Sequence, residues 1–597
     1  MRVANGPRPA DGQAGRAKRG FKSGGWVFAA ICGMVALIAA ACGSTPTPTG
    51  AASGTSAASS GTSATGSSGT TKSGGGGGSA SAQTLTISNE AGSLWTCGFN
   101  PFNPAVNGTS NGFIYEPLIF VDSLKSGATT PWLATGYKYS DSNKVLTFTI
   151  RKGVKWSDGV ALTAADVAFT FNLLKKDPGL DLNSLWSVLK SVKQSGDSVV
   201  LTFKTPAVPY FYYVADQTFI VPEHIWSKLS NPVTFGDPKP IGSGPLTVSQ
   251  CTGQNIGYVA NAHYWQPGLP KVKKVNYPAF TSNDPANTFL ATGEAQWGGQ
   301  FIPNVQTSYL SKSPDNHYWY PSLTNVSLFI NQTVAPLNDV NVRRAMAFAV
   351  NRNEVSSIGE YGYEPPANQS GIVTPTFSSW EDKSEVAKYG YTYNPKKAIS
   401  ILEKDGWKMS GGVFAKDGKK LEFSVVNVGG NSDWVASLQV ITQEYAKVGI
   451  KLTVDELSGT DYDNDLFKGD FQLAYFDETG GPSPYYEMRQ WLYGPNSAPI
   501  GKLAATNYER YENKATDALF DEYAATTSSA VQHQIIDKLE NVMLSDVPLI
   551  PMTEAAYWYQ YNTSKFTGWE TKADPFALPS PYAAPDDEVL FLHLKPT

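Results

Sequence analysis

The stretch that most limits what this chain can fold into is residues 146–176, LTFTIRKGVKWSDGVALTAADVAFTFNLLKK. Leu146, Phe148 and Ile150 alternate with Thr147 and Thr149, the period of a half-buried strand, and Arg151, Lys152 and Gly153 turn the chain. A second short run, 154–156, breaks at Ser157, Asp158 and Gly159, residue types suited to a tight turn. Thr163 stands where a helix needs a cap, with Asp166 at the capping-box position three residues on. Val167, Phe171 and Leu174 share one face of that helix, and Phe169 flanks it. Elsewhere 84–88, 325–331, 421–428 and 450–454 read as strands, and 114–120, 399–402, 435–448 and 531–544 as helices. Another helix begins at a cap on Asn338 or Asp339, and Asp339 with Arg343 has the spacing of an exposed ion pair. Strands alternating with helices define an α/β protein.

The first eighty or so residues stand apart. Arg2, Arg8, Arg16, Lys18, Arg19 and Lys22 precede the apolar run 26–41, which is shorter than the ~20 residues of a membrane span. The run ends in Ala39-Ala40-Ala41-Cys42-Gly43, which resembles a bacterial lipobox with Cys42 as the lipidated residue. Residues 1–42 are therefore read as a lipoprotein signal peptide, with an uncleaved anchor as the alternative. Residues 43–82 are almost entirely Gly, Ser, Thr, Ala and Pro with Lys72 the only charge, a composition that buries no core and serves as a tether.

A net charge of -5 supplies no basic field for nucleic acid. Aromatic residues at 12% suit both large cores and ligand-lined clefts. The five histidines are scattered, and the chain lacks His-Glu-x-x-His, Cys-x-x-Cys, Gly-x-Ser-x-Gly and a phosphate-binding Gly-x4-Gly-Lys-Ser/Thr loop. Ser187 and Lys190 match Ser-x-x-Lys, but Lys-Thr-Gly is absent, and Ser187 is read as structural. No catalytic residue, metal or cofactor is expected; a glycosidase-like pair of acids distant in the chain remains the enzymatic alternative.

Four segments carry a resemblance to a known family. TIRKGVKWSDGVALTAADVAFTF (149–171) resembles the signature of the family 5 extracellular solute-binding proteins, the peptide-, oligosaccharide- and nickel-binding subunits of ABC importers. IGSGPLTVSQ (241–250), PLNDVNVRRAMAFAVNRNEV (336–355) and VPLIPMTEAAYWYQYNTSKFTGW (547–569) are similar to the family's strand entry, second-lobe helix and chain-return segment. The resemblance implies a two-lobed periplasmic-binding-protein-like fold with a two-crossing hinge. Lobe I would comprise 83–121, 238–324 and 555–597, with an extra subdomain at 122–237, and lobe II 325–554. It also places Cys97 and Cys251 in one lobe, where a disulfide is expected outside the membrane, two unpaired thiols being the alternative.

The same resemblance nominates a site. In peptide-binding members an Asp at the end of a lobe-II strand pairs with the ligand's α-amino group, and Asp477 in FQLAYFDETGGPSPYYE falls at the matching place. Ala474 stands where Trp is common, and Glu478-Thr479-Gly480-Gly481-Pro482 replaces the usual run after the Asp. Trp297, in a segment near the crossover, and Trp95, on a loop that faces the cleft in the family, are aromatic candidates; for Trp95 core packing is the other reading. Trp434, after the Gly429-Gly430-Asn431 loop, is a third. The implied function is a monomeric, lipid-anchored receptor on the outer face of the cytoplasmic membrane that captures oligopeptides and delivers them to ABC permease subunits. Oligosaccharide is the second ligand class, the histidines disfavour nickel, and a surface scaffold without transport is a further alternative.

Overall fold

The computed structural model describes residues 84–89, 94–103, 107–280, 283–429 and 431–597. Cys42 and the 1–42 and 43–82 segments lie outside the described residues. Two large sheets organise the rest. The first runs in the order Asn316–Tyr318, Gln560–Asn562, Trp297–Gly299, Thr84–Asn89, Lys274–Pro278, Asn255–Ala260, Leu246–Thr252. Its central strand, Thr84–Asn89, is parallel to both neighbours. The second runs Lys451–Leu457, Glu422–Val428, Leu473–Asp477, Ser322–Ile330, Leu549–Ala556.

Strand alternation explains the second sheet's two cores. Val326, Leu328, Ile330, Val425, Leu473 and Tyr475 point to one side, beneath the helices Val340–Ala349, Pro395–Lys404 and Ser432–Lys447. Phe329, Val426 and Ala474 point to the other and meet Met488, Trp491, Ile535 and Leu539 from Pro484–Leu492 and Ser529–Asp546. With helices on both faces, Ser322–Ile330 and Leu549–Ala556 are buried along nearly their whole length, whereas the edge strand Lys451–Leu457 is largely exposed.

Residues 319–321 carry the chain from the first sheet into Ser322–Ile330, and 557–559 bring it back from Leu549–Ala556 to Gln560–Asn562. These two connections lie side by side: Trp319 donates its backbone N–H to the Tyr559 carbonyl (3.1 Å) and Tyr557 donates to that of Pro321 (2.8 Å). The crossings lie a few residues outside the expected 325 and 554, because both strands extend beyond their apolar cores toward the hinge.

The 146–176 unit forms as its pattern requires. Val145–Ile150 sits inside a four-stranded sheet ordered Ala134–Ser140, Val145–Ile150, Ser198–Phe203, Leu189–Ser195. The helix Ala164–Lys176 has a complete capping box on Thr163 and Asp166, and buries Val167, Phe171 and Leu174. Residues 154–156 make only an isolated bridge, Lys155 with Ala161, instead of a strand. In the IGSGPL segment, a Cβ on Gly242 would stand 1.9 Å from the Ile114 carbonyl oxygen, and one on Gly244 2.6 Å from that of Phe113. Only glycine lets these two backbones meet.

Two local expectations are corrected. Residues 114–120 are not a helix: Asn107–Ser110 is the short helix, and Ile119–Asp122 is a strand paired with Ala128–Pro131. Pro117 forces Glu116 away from helical backbone, and Ile114, Tyr115, Leu118, Ile119 and Phe120 are buried on every side, leaving no amphipathic face. Arg343 does not pair with Asp339. Asp339 caps its helix through Asn341 N–H, while Arg343, 5% exposed, donates to the carbonyls of Leu337, Asp546 and Val547. Arg344 donates to Ser545. Both guanidinium groups thus serve the C-terminal carbonyls of Ser529–Asp546, where the helix dipole favours cations.

Cys97 and Cys251 form a disulfide with Cα atoms 5.7 Å apart, closing a loop of sequence separation 154. In a chain-entropy view such a closure removes unfolded-state freedom worth about 2–4 kcal/mol in typical cases. Cys97→Ser is therefore expected to destabilise the protein by about that amount in urea unfolding, and reductant should lower the wild-type midpoint toward the variant's without moving the variant. Arg343→Ala should cost about 2–3 kcal/mol in the same experiment, because it strips charge-assisted donors from buried carbonyls, whereas an exposed ion pair would cost well under ~1 kcal/mol.

Candidate binding cleft

Between the two sheets lies a cavity of about 350 Å³. The first lobe supplies Asn89 at the end of Thr84–Asn89, Asn283 at the start of Asn283–Ala291, Gly299 and Gln300 at the end of Trp297–Gly299, and then Phe301 and Tyr582. The second supplies Val326, Glu364, Asn431, Asp433, Trp434 and Asp477; Ala555, Ala556 and Trp558 come from the return crossing. Asn89, Gly299 and Asp477 stand at the carboxyl ends of their strands, and Asp433 and Trp434 open the helix that follows Glu422–Val428. In α/β sheets this is where ligands are held, because the loops there diverge and helix N-termini converge.

The charge of the lining is one-sided. Glu364, Asp433 and Asp477 face the cavity, and among the described residues its lining contains no Lys, Arg or His. Removal from water pushes Asp477 up to about 6, with its own backbone N–H opposing the rise and the charge of Asp433 adding to it. Burial pushes Glu364 up to about 8, against hydrogen bonds from Ala556 N–H (2.9 Å) and Thr553 Oγ1 (2.7 Å), with Asp433 and Asp477 adding to the rise. Asp433 is also raised by burial, opposed by backbone N–H groups at the start of its helix. Behind them Glu360, fully buried, accepts from Ser437 Oγ through Oε1 at 2.7 Å. Its Oε2 has no hydrogen-bond partner among the described residues.

Asp477 and Trp434 thus come together, with the Trp434 ring edge-on to Tyr475 at 5.6 Å. The other two nominated tryptophans do not join them. Trp297 is fully buried, donates its indole N–H to the Pro579 carbonyl at 2.8 Å and packs edge-on against Phe113 and Trp569. Strand alternation turns its ring into the lobe-I core, and the residues just after it, Gly299 to Phe301, reach the cavity instead. Trp95 sits edge-on to Tyr277 at 5.1 Å and donates to that residue's carbonyl, close in sequence to the disulfide at Cys97. It does not line the cavity.

Sequence reasoning passed over Asp433, Glu364, Trp558, Tyr582 and Phe301. Asp433 was adjacent to a nominated residue, and Trp558 lay in the segment matched to the family's chain return. Glu364 and Tyr582 carried no local signal. Among the described residues, no three His, Cys, Asp or Glu side chains are arranged to hold a metal ion, and no helix is long and apolar enough to cross a membrane.

A two-lobed α/β protein with a polar, aromatic-walled cavity at its hinge is a solute-binding architecture. The comparisons give its lineage: residues 128–499 match the model for the bacterial extracellular solute-binding proteins, family 5 (middle region), and the chain belongs to that family. Similar proteins include the oligopeptide-binding protein AppA of Bacillus subtilis, 26% identical, the match covering 70% of this chain and 76% of that protein. The nickel-binding periplasmic protein of Escherichia coli is 24% identical, covering 78% and 93%. Among solved structures, a mannohexaose-bound periplasmic oligopeptide-binding protein of Thermotoga maritima superposes with a TM-score of 0.78 at 28% identity, covering 87% of this chain and 99% of that one. AppA bound to a nonapeptide superposes with a TM-score of 0.70 at 22% identity, a likeness of fold. The relatives named here are binding proteins.

The raised acids fix a pH dependence. A carboxyl group whose folded value exceeds its unfolded value binds its proton more tightly in the fold, so stability falls as pH rises between the two values and is level above the folded one. For Asp477 that window ends at about 6 and for Glu364 at about 8. Ligand-free protein should therefore melt at a higher temperature at pH 5.5 than at pH 8.5, and Glu364→Gln should flatten the part of the profile between pH 7 and 8.5. A wild-type melting temperature that rises with pH across that range would contradict this.

Proposed function

We propose that this chain is the solute-capturing subunit of an ABC importer, held to the membrane through Cys42 and the 43–82 tether. It would close its two lobes over the amino end of a short peptide. The observation that carries this reading is the lining of the cavity: Asp477 and Asp433 face it, and among the described residues no cationic side chain lines it. An ammonium group is the partner such a site lacks, and a charge-assisted bond in a closed cleft is worth ~1.5–3 kcal/mol. Asp477 takes the α-ammonium, and Trp434, Trp558, Phe301 and Tyr582 wall the space around the first residues. At about 350 Å³ the cavity is near the lower end of the ~300–1,000 Å³ usual for small-molecule pockets, so the ligand it encloses is short.

Closure follows from the two crossings. A ligand that touches both lobes is bound more tightly in the closed state and shifts the equilibrium toward it. In the arrangement described here the lobes also meet through the extra subdomain. Tyr486 donates its hydroxyl to the Pro209 carbonyl at 2.8 Å, and Arg489 lies over the Tyr210 ring and donates to its hydroxyl. The closed form is the one presented to the permease, and separate ATPases drive release.

Oligosaccharide is the second reading. Trp434 and Trp558 offer flat faces, while Asn89, Asn283, Gln300 and Asn431 offer amides. The Thermotoga maritima relative holds mannohexaose. Thermal unfolding of residues 83–597 against short peptides and short mannooligosaccharides separates the two, since ligand at 100 times its Kd adds ~2.7 kcal/mol. A peptide shift that Asp477→Asn reduces by at least tenfold in affinity is expected. A sugar shift that survives Asp477→Asn and is lost in Trp434→Ala would replace peptide by sugar.

A further inference from the structure

One ammonium group needs one carboxylate, yet this cavity presents more. Asp477 ends the strand Leu473–Asp477, and Asp433 stands in the first turn of Ser432–Lys447, on a different element. Each is close enough for the charge of Asp433 to oppose ionisation of Asp477. The acidity continues inward from Asp433. Ser437, one helical turn along, holds only one oxygen of Glu360, and the other has no partner among the described residues. Glu360 is fully buried, and the charges of Glu364 and Asp433 act on it.

None of the ion pairs among the described residues includes any of these four acids. A ligand with a single positive charge would pair Asp477 and leave Asp433 as a desolvated charge inside the closed cleft, which is costly unless a partner is supplied. A second cation on the ligand removes that cost. Four aromatic side chains, Trp434, Trp558, Phe301 and Tyr582, also line the cavity, and the face of an aromatic ring attracts cations electrostatically.

We infer that the cavity selects peptides carrying two positive charges at their amino end: a first residue of lysine, ornithine or arginine type, its α-ammonium on Asp477 and its side-chain cation on Asp433. This rests on the ammonium reading of Asp477 and narrows it to a ligand class. Asp433 is then the residue that sets specificity.

The test is isothermal titration of wild type with three dipeptides that share a carboxyl end: Lys-Ala, Nε-acetyl-Lys-Ala and Ala-Ala. Acetylation keeps the stem of the side chain and removes its charge. Lys-Ala is expected to bind at least tenfold more tightly than its acetylated form, and Asp433→Asn should abolish that difference. Equal binding of Lys-Ala and acetyl-Lys-Ala by wild type overturns the inference without recourse to any variant. So does an Asp433→Asn protein that loses affinity for all three alike. If Ala-Ala binds and lysine confers no advantage, the ammonium reading stands and this inference fails. If none of the three binds and a mannooligosaccharide does, both fail together.

Discussion

The structure depends on the pairing of the two lobe crossings. Residues 319–321 and 557–559 are each only three residues long, too short to wander, and they hydrogen-bond to each other in both directions. That ties the strand entering lobe II to the strand leaving it, which then lie adjacent in the same sheet as Ser322–Ile330 and Leu549–Ala556. A pair of extended segments bends far more readily than either packed core deforms, so relative motion of the lobes is concentrated there. The cavity sits beside this ribbon, with Ala555, Ala556 and Trp558 of the return crossing in its wall. Residues that wall the cavity therefore belong to the same ribbon that joins the lobes.

The ends of helices and strands do the rest of the positioning. Arg343 and Arg344 bind the terminal carbonyls of Ser529–Asp546, and the chain then turns at Val547, whose φ of 46° is unusual for a β-branched residue. A strained turn of that kind persists only where its surroundings hold it, and Val547 is fully buried and held by Arg343 at its carbonyl. Directly after it begins the strand that carries Thr553 and leads to the return crossing. The same logic applies on the other side of the sheet, where the start of Ser432–Lys447 delivers Asp433 and Trp434 to the cavity. Rigid elements aim the side chains, and the hinge brings the two halves of the site together.

Much of the backbone was legible in the residues. The capping box at Thr163 and Asp166, the strands near 421–428 and 450–454 and the long helix near 531–544 all carry local periodicity or capping chemistry that does not depend on distant parts of the chain. Failures came where burial was complete. The run 114–120 is buried on all sides and apolar apart from Glu116, so its pattern does not separate helix from strand, and Pro117 was the local signal that decided against a helix. Arg343 has an acidic neighbour at the right spacing on its own helix, but the carbonyls that actually bind it belong to residues some two hundred positions away.

The candidate site divides along the same line. While Asp477 was nominated only through the family resemblance, the sequence by itself determined the α/β class and the capped helices. These are properties of short stretches, fixed by steric and hydrogen-bonding rules that act over a few residues. Only the tertiary structure decided which acids and rings share one cavity. It placed Glu364, Asp433 and Asp477 from three separated segments around the same space, and it turned Trp297 and Trp95 away from it. Convergence of that kind depends on how two sheets pack across a hinge. The side chains involved are far apart in the chain, and nothing in any one local stretch records which of them will meet.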